Sequence, residues 1–150
     1  MMKNILFVCH GNICRSPMAE FVMKDLVGKN GTVSEFHIES AAVSSEELGN
    51  PVYPEVKALL QKHGINCSGK YARRITPADY DRFDLLIAMD RRNIAGMLRE
   101  FGGDPDNKIS LLLSHCGENN EVADPWYSGD FAATWRDILK GCRALLQNLT

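Results

Sequence analysis

The sequence has no hydrophobic run of membrane-spanning length, and its charges are nearly balanced, with 17 Lys and Arg against 19 Asp and Glu for a net charge of −2. The N-terminal apolar stretch, residues 5–8, is also too short for a signal peptide. The sequence has no excess of basic residues that would favour nucleic-acid binding. It also has no run of like charges that would suggest a charged tail. We therefore expect a cytoplasmic protein without nucleic-acid or membrane partners, in which a local site attracts any charged ligand.

Cysteines are few, and their spacing fits neither a disulfide framework nor a metal site. The five are Cys9, Cys14, Cys67, Cys116 and Cys142. Because the number is odd and the expected compartment is reducing, we expect no structural disulfides. Zinc would need paired Cys or His at short spacing, and no second pair matches Cys9 and Cys14. We therefore expect no metal site.

Internal repeats and low-complexity linkers are also missing, so residues 1–150 are expected to form one domain. Short apolar runs alternate with amphipathic stretches along this chain. The runs at 5–8, 36–40, 84–89 and 109–113 predict buried strands, and the amphipathic stretches predict helices. This alternation predicts an α/β domain of three layers, with a parallel sheet between helices on both faces.

Helix boundaries are marked by local signals. A capping box begins at Thr76, and Asp90 is placed to cap the helix that follows the third strand. The last helix is expected from about 130 to 149, where apolar residues recur at helical spacing. A polar loop over 117–129 is expected before it.

The ten residues 8–17 read Val-Cys-His-Gly-Asn-Ile-Cys-Arg-Ser-Pro and connect the first strand to the first helix. Successive backbone N–H groups in such a turn can converge on one anion, and the helix N-terminus adds a partial positive charge. Gly11 and Asn12 tolerate backbone conformations closed to most residues. The guanidinium of Arg15 can hold two phosphate oxygens. The stretch therefore predicts a phosphate-binding loop.

Cys9 lies where these dipoles would converge. A helix N-terminus and a nearby cation favour the thiolate form of a cysteine, and the hydroxyl of Ser16 can donate a further hydrogen bond. Cys9 is thus a candidate nucleophile at neutral pH. A Cys and an Arg at this spacing also occur by chance, in which case Cys9 would be a small buried residue and Arg15 a surface one. The buried strand before the loop and Ser-Pro after it favour the catalytic interpretation.

This loop resembles the signature of the low-molecular-weight protein tyrosine phosphatases, and the similarity spans nearly the whole chain. It includes Ser40-Ala-Ala, His63-Gly-Ile, Met89-Asp90 and Asp124-Pro-Trp-Tyr. The resemblance implies a flavodoxin-like domain whose four parallel strands have the order 2-1-3-4. It also implies a hydrolase that removes phosphate from tyrosine in proteins, and from small aryl phosphates, through a phosphocysteine intermediate. We expect no cofactor, because the thiolate and the phosphate-binding loop supply this chemistry.

The resemblance also assigns roles to individual residues. Cys9 is then the nucleophile, Arg15 holds the phosphate, and Asp124 is the general acid that later activates water. The phosphate-binding loop comprises His10, Gly11, Asn12, Ile13, Cys14 and Arg15. Hydrogen bonds around the loop are expected from Asn12, Ser16, Ser40 and His63. Without the resemblance, Ser40 would be an ordinary strand-end hydroxyl and His63 an ordinary helix C-terminal residue.

Four positions bear on the substrate. Trp126 and Tyr127 either wall the cleft and stack on an aryl ring, or pack against the final helix. Glu46 stands where relatives often carry an aromatic residue, and its carboxylate is expected to disfavour acidic peptides. In the related phosphoarginine phosphatases that this loop resembles, the position of Ile13 is occupied by threonine. Isoleucine there favours phosphotyrosine as the substrate.

Cys14 has two interpretations. It is either a packed thiol at the start of a helix or, as the resemblance implies, a resolving cysteine. In the second case it traps oxidised Cys9 as a reversible disulfide and makes the enzyme redox-sensitive. The other cysteines are expected to be structural.

Two other functions share parts of this pattern. A thiol-dependent arsenate reductase has a similar loop but needs two further cysteines near one another, whereas Cys67 and Cys116 are far apart in sequence. A flavodoxin-type phosphate binder would not need both Cys9 and Asp124. We therefore expect a phosphatase acting on a tyrosine-phosphorylated protein or small aryl phosphate, and a monomer with at most weak self-association.

Overall fold

The computed structural model describes residues 2–150 and has a four-stranded sheet at its centre. The strands are Lys3–Cys9 (β1), Phe36–Ala42 (β2), Leu85–Ala88 (β3) and Ile109–Leu111 (β4). Neighbouring strands all pair in parallel, in the order β2-β1-β3-β4. The predicted α/β domain with strand order 2-1-3-4 is therefore confirmed.

Helices pack on both faces of this sheet. They are Arg15–Lys29 (α1), Pro54–Lys62 (α2), Pro77–Arg82 (α3), Arg91–Phe101 (α4), Pro125–Ser128 (α5) and Phe131–Leu149 (α6). Side chains alternate along β1, so that Ile5 and Phe7 pack with α1 and α6, whereas Leu6 and Val8 pack with α3 and α4. Within residues 2–150, no helix combines the length and apolar composition needed to cross a bilayer.

The predicted helix starts at Thr76 and Asp90 are confirmed. The Asp79 carboxylate accepts a 2.8 Å hydrogen bond from the N–H of Thr76 in the capping box of α3. At α4, the Asp90 carboxylate accepts a 2.9 Å bond from the N–H of Asn93. Asp90 is thereby held at the carboxyl edge of the sheet, just beyond β3.

The chain departs from the prediction after β4. The strand expected over 109–113 ends at Leu111, and Leu112–Cys116 forms a 3-10 turn instead. Leu112 packs against α6 so closely that a Cβ at Gly141 would lie 2.5 Å from its Cγ. This contact with α6 competes with continuation of the sheet, which is why the apolar run alone overestimated the strand.

The segment predicted as a loop over 117–129 contains the short helix α5. Val122, which precedes it, donates a backbone hydrogen bond of 2.9 Å to the carbonyl of Met89, just beyond β3. This bond brings the segment over the carboxyl edge of the sheet. Asp124 therefore approaches the loop that follows β1.

Candidate active site

The loop between β1 and α1 places two hydrogen-bond donors around the sulfur of Cys9. The N–H of Asn12 donates to Cys9 Sγ over 3.3 Å, and the Ser16 hydroxyl lies 3.0 Å from the same atom. Asn12 has a φ of +61°, in the left-handed region that Asn tolerates better than most residues. This backbone conformation turns the Asn12 N–H inward, and the sulfur is buried at the N-terminal end of α1.

The side chain of Asn12 sets the direction of the hydrogen bonds around the loop. Its Oδ1 accepts the N–H of Arg73 over 3.1 Å, and its Nδ2 donates to the hydroxyls of Ser16 at 2.8 Å and Ser40 at 2.9 Å. Because Ser16 Oγ accepts from Asn12, its own proton can be donated to Cys9 Sγ. The structure thus brings Asn12, Ser16 and Ser40 together, as the sequence predicts.

Two residues that the sequence analysis missed extend this network. The hydroxyl of Ser40 donates to Glu20 Oε1 over 2.5 Å, and the Lys70 ammonium lies 3.5 Å from the same oxygen. Lys70 also donates to the carbonyl of Ser40 over 2.8 Å. The two charged side chains are nearly buried, with exposures of 6% for Glu20 and 13% for Lys70. They form a buried ion pair behind the loop.

The electrostatics of this pair follow from its burial. Burial lowers the pKa of Lys70, and the charge of Glu20 only partly offsets that effect. The sequence did carry a signal for Glu20, because it lies on the buried face of α1 with Ser16 and Met23. No local signal marks Lys70, since only the tertiary fold brings it to Glu20.

His63 does not take the position predicted for it. Its ring stacks on Trp135 of α6 with centroids 4.1 Å apart, at the exposed end of α2. Among residues 2–150, it makes no hydrogen bond to the loop. The expectation that His63 supports the loop by hydrogen bonding is therefore wrong. The side chain from the segment after α2 that contacts Ser40 is Lys70.

Arg15 is oriented by groups from two other segments. Its Nη1 donates to Asp90 Oδ2 over 2.8 Å and to the carbonyl of Val122 over 3.0 Å. Its Nη2 lies 3.4 Å from Asp124 Oδ2. Burial alone would lower the pKa of this guanidinium, but the sulfur of Cys9 and the two carboxylates raise it. Arg15 is therefore a fixed, buried cation beside the sulfur. Asp90, which the sequence marked as a helix cap and as part of the Met89-Asp90 motif, also orients this guanidinium.

Asp124 is held at the start of α5. Its Oδ1 accepts the N–H of Trp126 over 3.0 Å, which caps that helix, and its Oδ2 faces Arg15. The side chain is 26% exposed, so it remains open to the cleft. The carboxylate thus lies beside the position that Arg15 offers to an anion, with solvent on its other side.

The cleft above Cys9 has two different walls. One carries Trp126 and Tyr127, which are 56% and 83% exposed. The other carries Glu46 and Glu47, and Glu46 accepts a 2.9 Å hydrogen bond from the exposed His10 ring. The expectation that Trp126, Tyr127 and Glu46 face one cleft therefore fits the structure.

The thiols in and around the cleft differ in environment. All five cysteines are free, and only Cys9 and Cys14 line the cleft above the loop. Burial raises the pKa of the Cys14 thiol to about 12, and the charges of Cys9 and Asp124 add to this effect. Cys14 is therefore protonated at neutral pH. In the part of the chain that the structure describes, no three His, Cys, Asp or Glu side chains are arranged to hold a metal ion.

Comparison with known proteins relates the whole chain to one family. The sequence model described as low molecular weight phosphotyrosine protein phosphatase matches residues 4–150. The low molecular weight protein-tyrosine-phosphatase YfkJ of Bacillus subtilis is 37% identical over 150 residues, covering 99% of this chain and 96% of that protein. The Sus scrofa low molecular weight phosphotyrosine protein phosphatase is 38% identical, covering 98% of this chain and 96% of its own length.

Solved structures give the same relationship. The crystal structure of Bacillus subtilis YfkJ matches with a TM-score of 0.95 at 36% identity, covering 99% of this chain and 95% of that one. A Drosophila arginine phosphatase matches with a TM-score of 0.88 at 34% identity, covering 99% of this chain and 98% of that one. The names of these matched proteins refer to different substrates, phosphotyrosine and phosphoarginine. The side chains that line the site must therefore indicate which substrate this chain prefers.

Proposed function

The chain belongs to the low molecular weight phosphotyrosine protein phosphatase family and is a protein tyrosine phosphatase, and we propose that Cys9, Arg15 and Asp124 carry out its reaction. The observation that carries this proposal is the setting of Cys9 Sγ, 3.3 Å from the N–H of Asn12 and 3.0 Å from the Ser16 hydroxyl. Donors to sulfur and a buried guanidinium favour the thiolate, which is the reactive form.

In the first step, the thiolate of Cys9 attacks phosphorus and the bond from phosphorus to the aryl oxygen breaks. Arg15 and the loop N–H groups hold the other phosphate oxygens as charge redistributes. Asp90 and the Val122 carbonyl support this role because they fix one edge of the guanidinium. Asp124, protonated for this step, gives its proton to the departing phenolate oxygen.

In the second step, water attacks the phosphorus of phosphocysteine and the bond from sulfur to phosphorus breaks. Asp124, now ionised, takes a proton from the attacking water, so inorganic phosphate leaves and the Cys9 thiolate returns. Its partly exposed carboxylate supports this role, because both the leaving group and the incoming water need access to it.

The cleft supports an aryl phosphate as the substrate. Trp126 and Tyr127 give an aromatic wall that can lie along a phosphotyrosine ring. Ile13 adds an apolar side chain at the loop, with no hydroxyl to bind a guanidinium N–H as a threonine there would. We therefore propose phosphotyrosine in proteins and small aryl phosphates, rather than phosphoarginine, as substrates.

Cys14 is proposed to protect the nucleophile. Oxidant converts the Cys9 thiolate to a sulfenic acid, which condenses with the Cys14 thiol to a disulfide and releases water. A dithiol reductant then restores both thiols.

A thiolate nucleophile fits a reducing compartment, so we propose a cytoplasmic location. We also propose that the protein acts as a monomer.

A variant of the nucleophile tests the mechanism directly. Cys9→Ser should lose turnover of nitrophenyl phosphate while still binding vanadate, because the loop donors and Arg15 remain. A pH–rate profile of wild type and Asp124→Asn then tests the acid separately, because the acid-dependent limb of the profile should be lost in Asp124→Asn. Full turnover by Cys9→Ser would refute the mechanism.

A further inference from the structure

A second groove runs from the active-site cleft along α4. It shares His10, Arg15, Asp124 and Tyr127 with the cleft above Cys9. Beyond these residues it is lined by Val43 and Ser44, by Arg92, Ala95 and Arg99 of α4, and by the carboxylates of Asp90 and Glu121. We name it the α4 groove. A peptide whose phosphotyrosine reaches Cys9 can therefore extend into it without crossing another wall.

The α4 groove carries two unpaired arginines. Arg92 and Arg99 are seven positions apart, so they lie on one face of α4, and the small, exposed Ala95 lies between them. Both are exposed, and neither forms an ion pair with any residue in the range 2–150. Two guanidiniums on a concave surface are thus free to bind anions.

The carboxylates in and beside the groove are already engaged by other cations. Asp90 and Asp124 contact the Arg15 guanidinium at 2.8 and 3.4 Å. Glu121 accepts the N–H of Arg91 over 2.8 Å and lies 3.6 Å from its guanidinium. Glu100 is paired with Arg74 at 3.4 Å. These pairs leave the positive charge of Arg92 and Arg99 available to a ligand.

The part of the active-site cleft outside the α4 groove has the opposite charge. Glu46 and Glu47 line that part, and their partners are the His10 ring and the Asn50 amide, which leave most of their charge uncompensated. The cleft is therefore negative beside residues 46 and 47 and positive along α4. An extended peptide lying across Cys9 meets both fields.

We propose that Arg92 and Arg99 form a specificity subsite for acidic side chains on one flank of the phosphotyrosine. This inference rests on the proposed function, since the phosphotyrosine must sit at Cys9 for the flank to reach α4. It refines the expectation that Glu46 disfavours acidic peptides, because that repulsion acts only on the flank facing residues 46 and 47. The arginines select among peptides and take no part in the chemistry.

The test compares phosphotyrosine peptides that carry two Asp or two Asn on one flank, with each flank tested in turn. At low salt, kcat/KM for the preferred Asp peptide should exceed that for its Asn counterpart about fivefold, as two exposed ion pairs would give. The Arg92→Gln, Arg99→Gln double variant should lose this preference, and 0.5 M salt should reduce it in wild type. Arg143→Gln, an exposed arginine of α6 outside both clefts, should keep it.

Hydrolysis of nitrophenyl phosphate distinguishes failure of the subsite from failure of the proposed function. All variants should hydrolyse it at the wild-type rate, because it does not reach α4. Normal nitrophenyl phosphate hydrolysis with no Asp preference on either flank, or with a preference that survives in the double variant, would overturn the subsite alone. If wild type hydrolysed neither nitrophenyl phosphate nor the phosphotyrosine peptides, the proposed function would be overturned, and the subsite with it.

Discussion

The side-chain amide of Asn12 donates a 2.8 Å hydrogen bond to the hydroxyl of Ser16. Because the Ser16 oxygen is the acceptor there, its proton points to another atom, and Cys9 Sγ at 3.0 Å is nearer than the Ala41 carbonyl at 3.5 Å. A buried amide held by three partners thus fixes which way one hydroxyl points. The result is a donor aimed at the nucleophilic sulfur.

Ser16→Ala should slow the reaction of Cys9 with iodoacetamide at pH 6 about tenfold or more, because a hydrogen bond to a charged group contributes about 1.5–3 kcal/mol. Stopped aliquots analysed by mass spectrometry give the rate. Ser44→Ala is the matched control, since Ser44 donates to the loop carbonyl of His10 at 2.9 Å and does not touch the sulfur. Equal rates for Ser16→Ala and wild type would show that this hydroxyl does not stabilise the thiolate.

Asp124→Asn should separate the two chemical steps. Asn keeps the acceptor for the N–H of Trp126 at the start of α5, so the segment stays in place. Without a proton donor, kcat for phenyl phosphate should fall by about 10² or more, whereas the burst of nitrophenol from nitrophenyl phosphate should persist. Rapid-quench kinetics measure both. An equal loss in the rate of phosphocysteine formation for the two leaving groups would exclude Asp124 as the acid.

The buried pair of Glu20 and Lys70 should be strongly coupled. Glu20→Leu leaves the Lys70 ammonium buried without its partner and should lower the free energy of unfolding by about 3 kcal/mol. Adding Lys70→Met should recover more than half of this loss, as measured by urea denaturation. The control is Lys24→Met, because Lys24 also contacts Glu20 but is 45% exposed, so its removal should cost under about 1 kcal/mol. Additive effects of Glu20→Leu and Lys70→Met would contradict the coupling.

Stability should fall at alkaline pH partly through Cys14. Its pKa rises from 9.0 to about 12 on folding, so the folded chain holds this proton more tightly than the unfolded chain. The contribution to stability is complete below pH 9 and is lost as the pH rises toward 12. Between pH 8 and pH 10, wild type should lose about 1.4 kcal/mol more than Cys14→Ala. Parallel urea titrations check this, and equal losses would exclude the effect.

The parallel sheet and the loop around Cys9 were predictable because both rest on local patterns: continuous apolar runs, and a strand, a Gly-containing turn and a helix in succession. The strand order came from the family resemblance. Lys70 was not, since its partner Glu20 is distant in sequence and only the packing of the chain brings them together. The same holds for Leu112, whose contact with α6 at Gly141 ends the strand early. The role of His63 was predicted wrongly because a sequence motif identifies a residue but does not give its distance from the loop.

The mechanism depends most on Cys9 being a thiolate that lines the cleft within an anion-binding loop, and alkylation at pH 6 measures this directly. Iodoacetamide should modify Cys9 first among the five cysteines, and inorganic phosphate should block that modification in proportion to its occupancy. Preferential modification of another cysteine, or modification of Cys9 that phosphate does not slow, would contradict it.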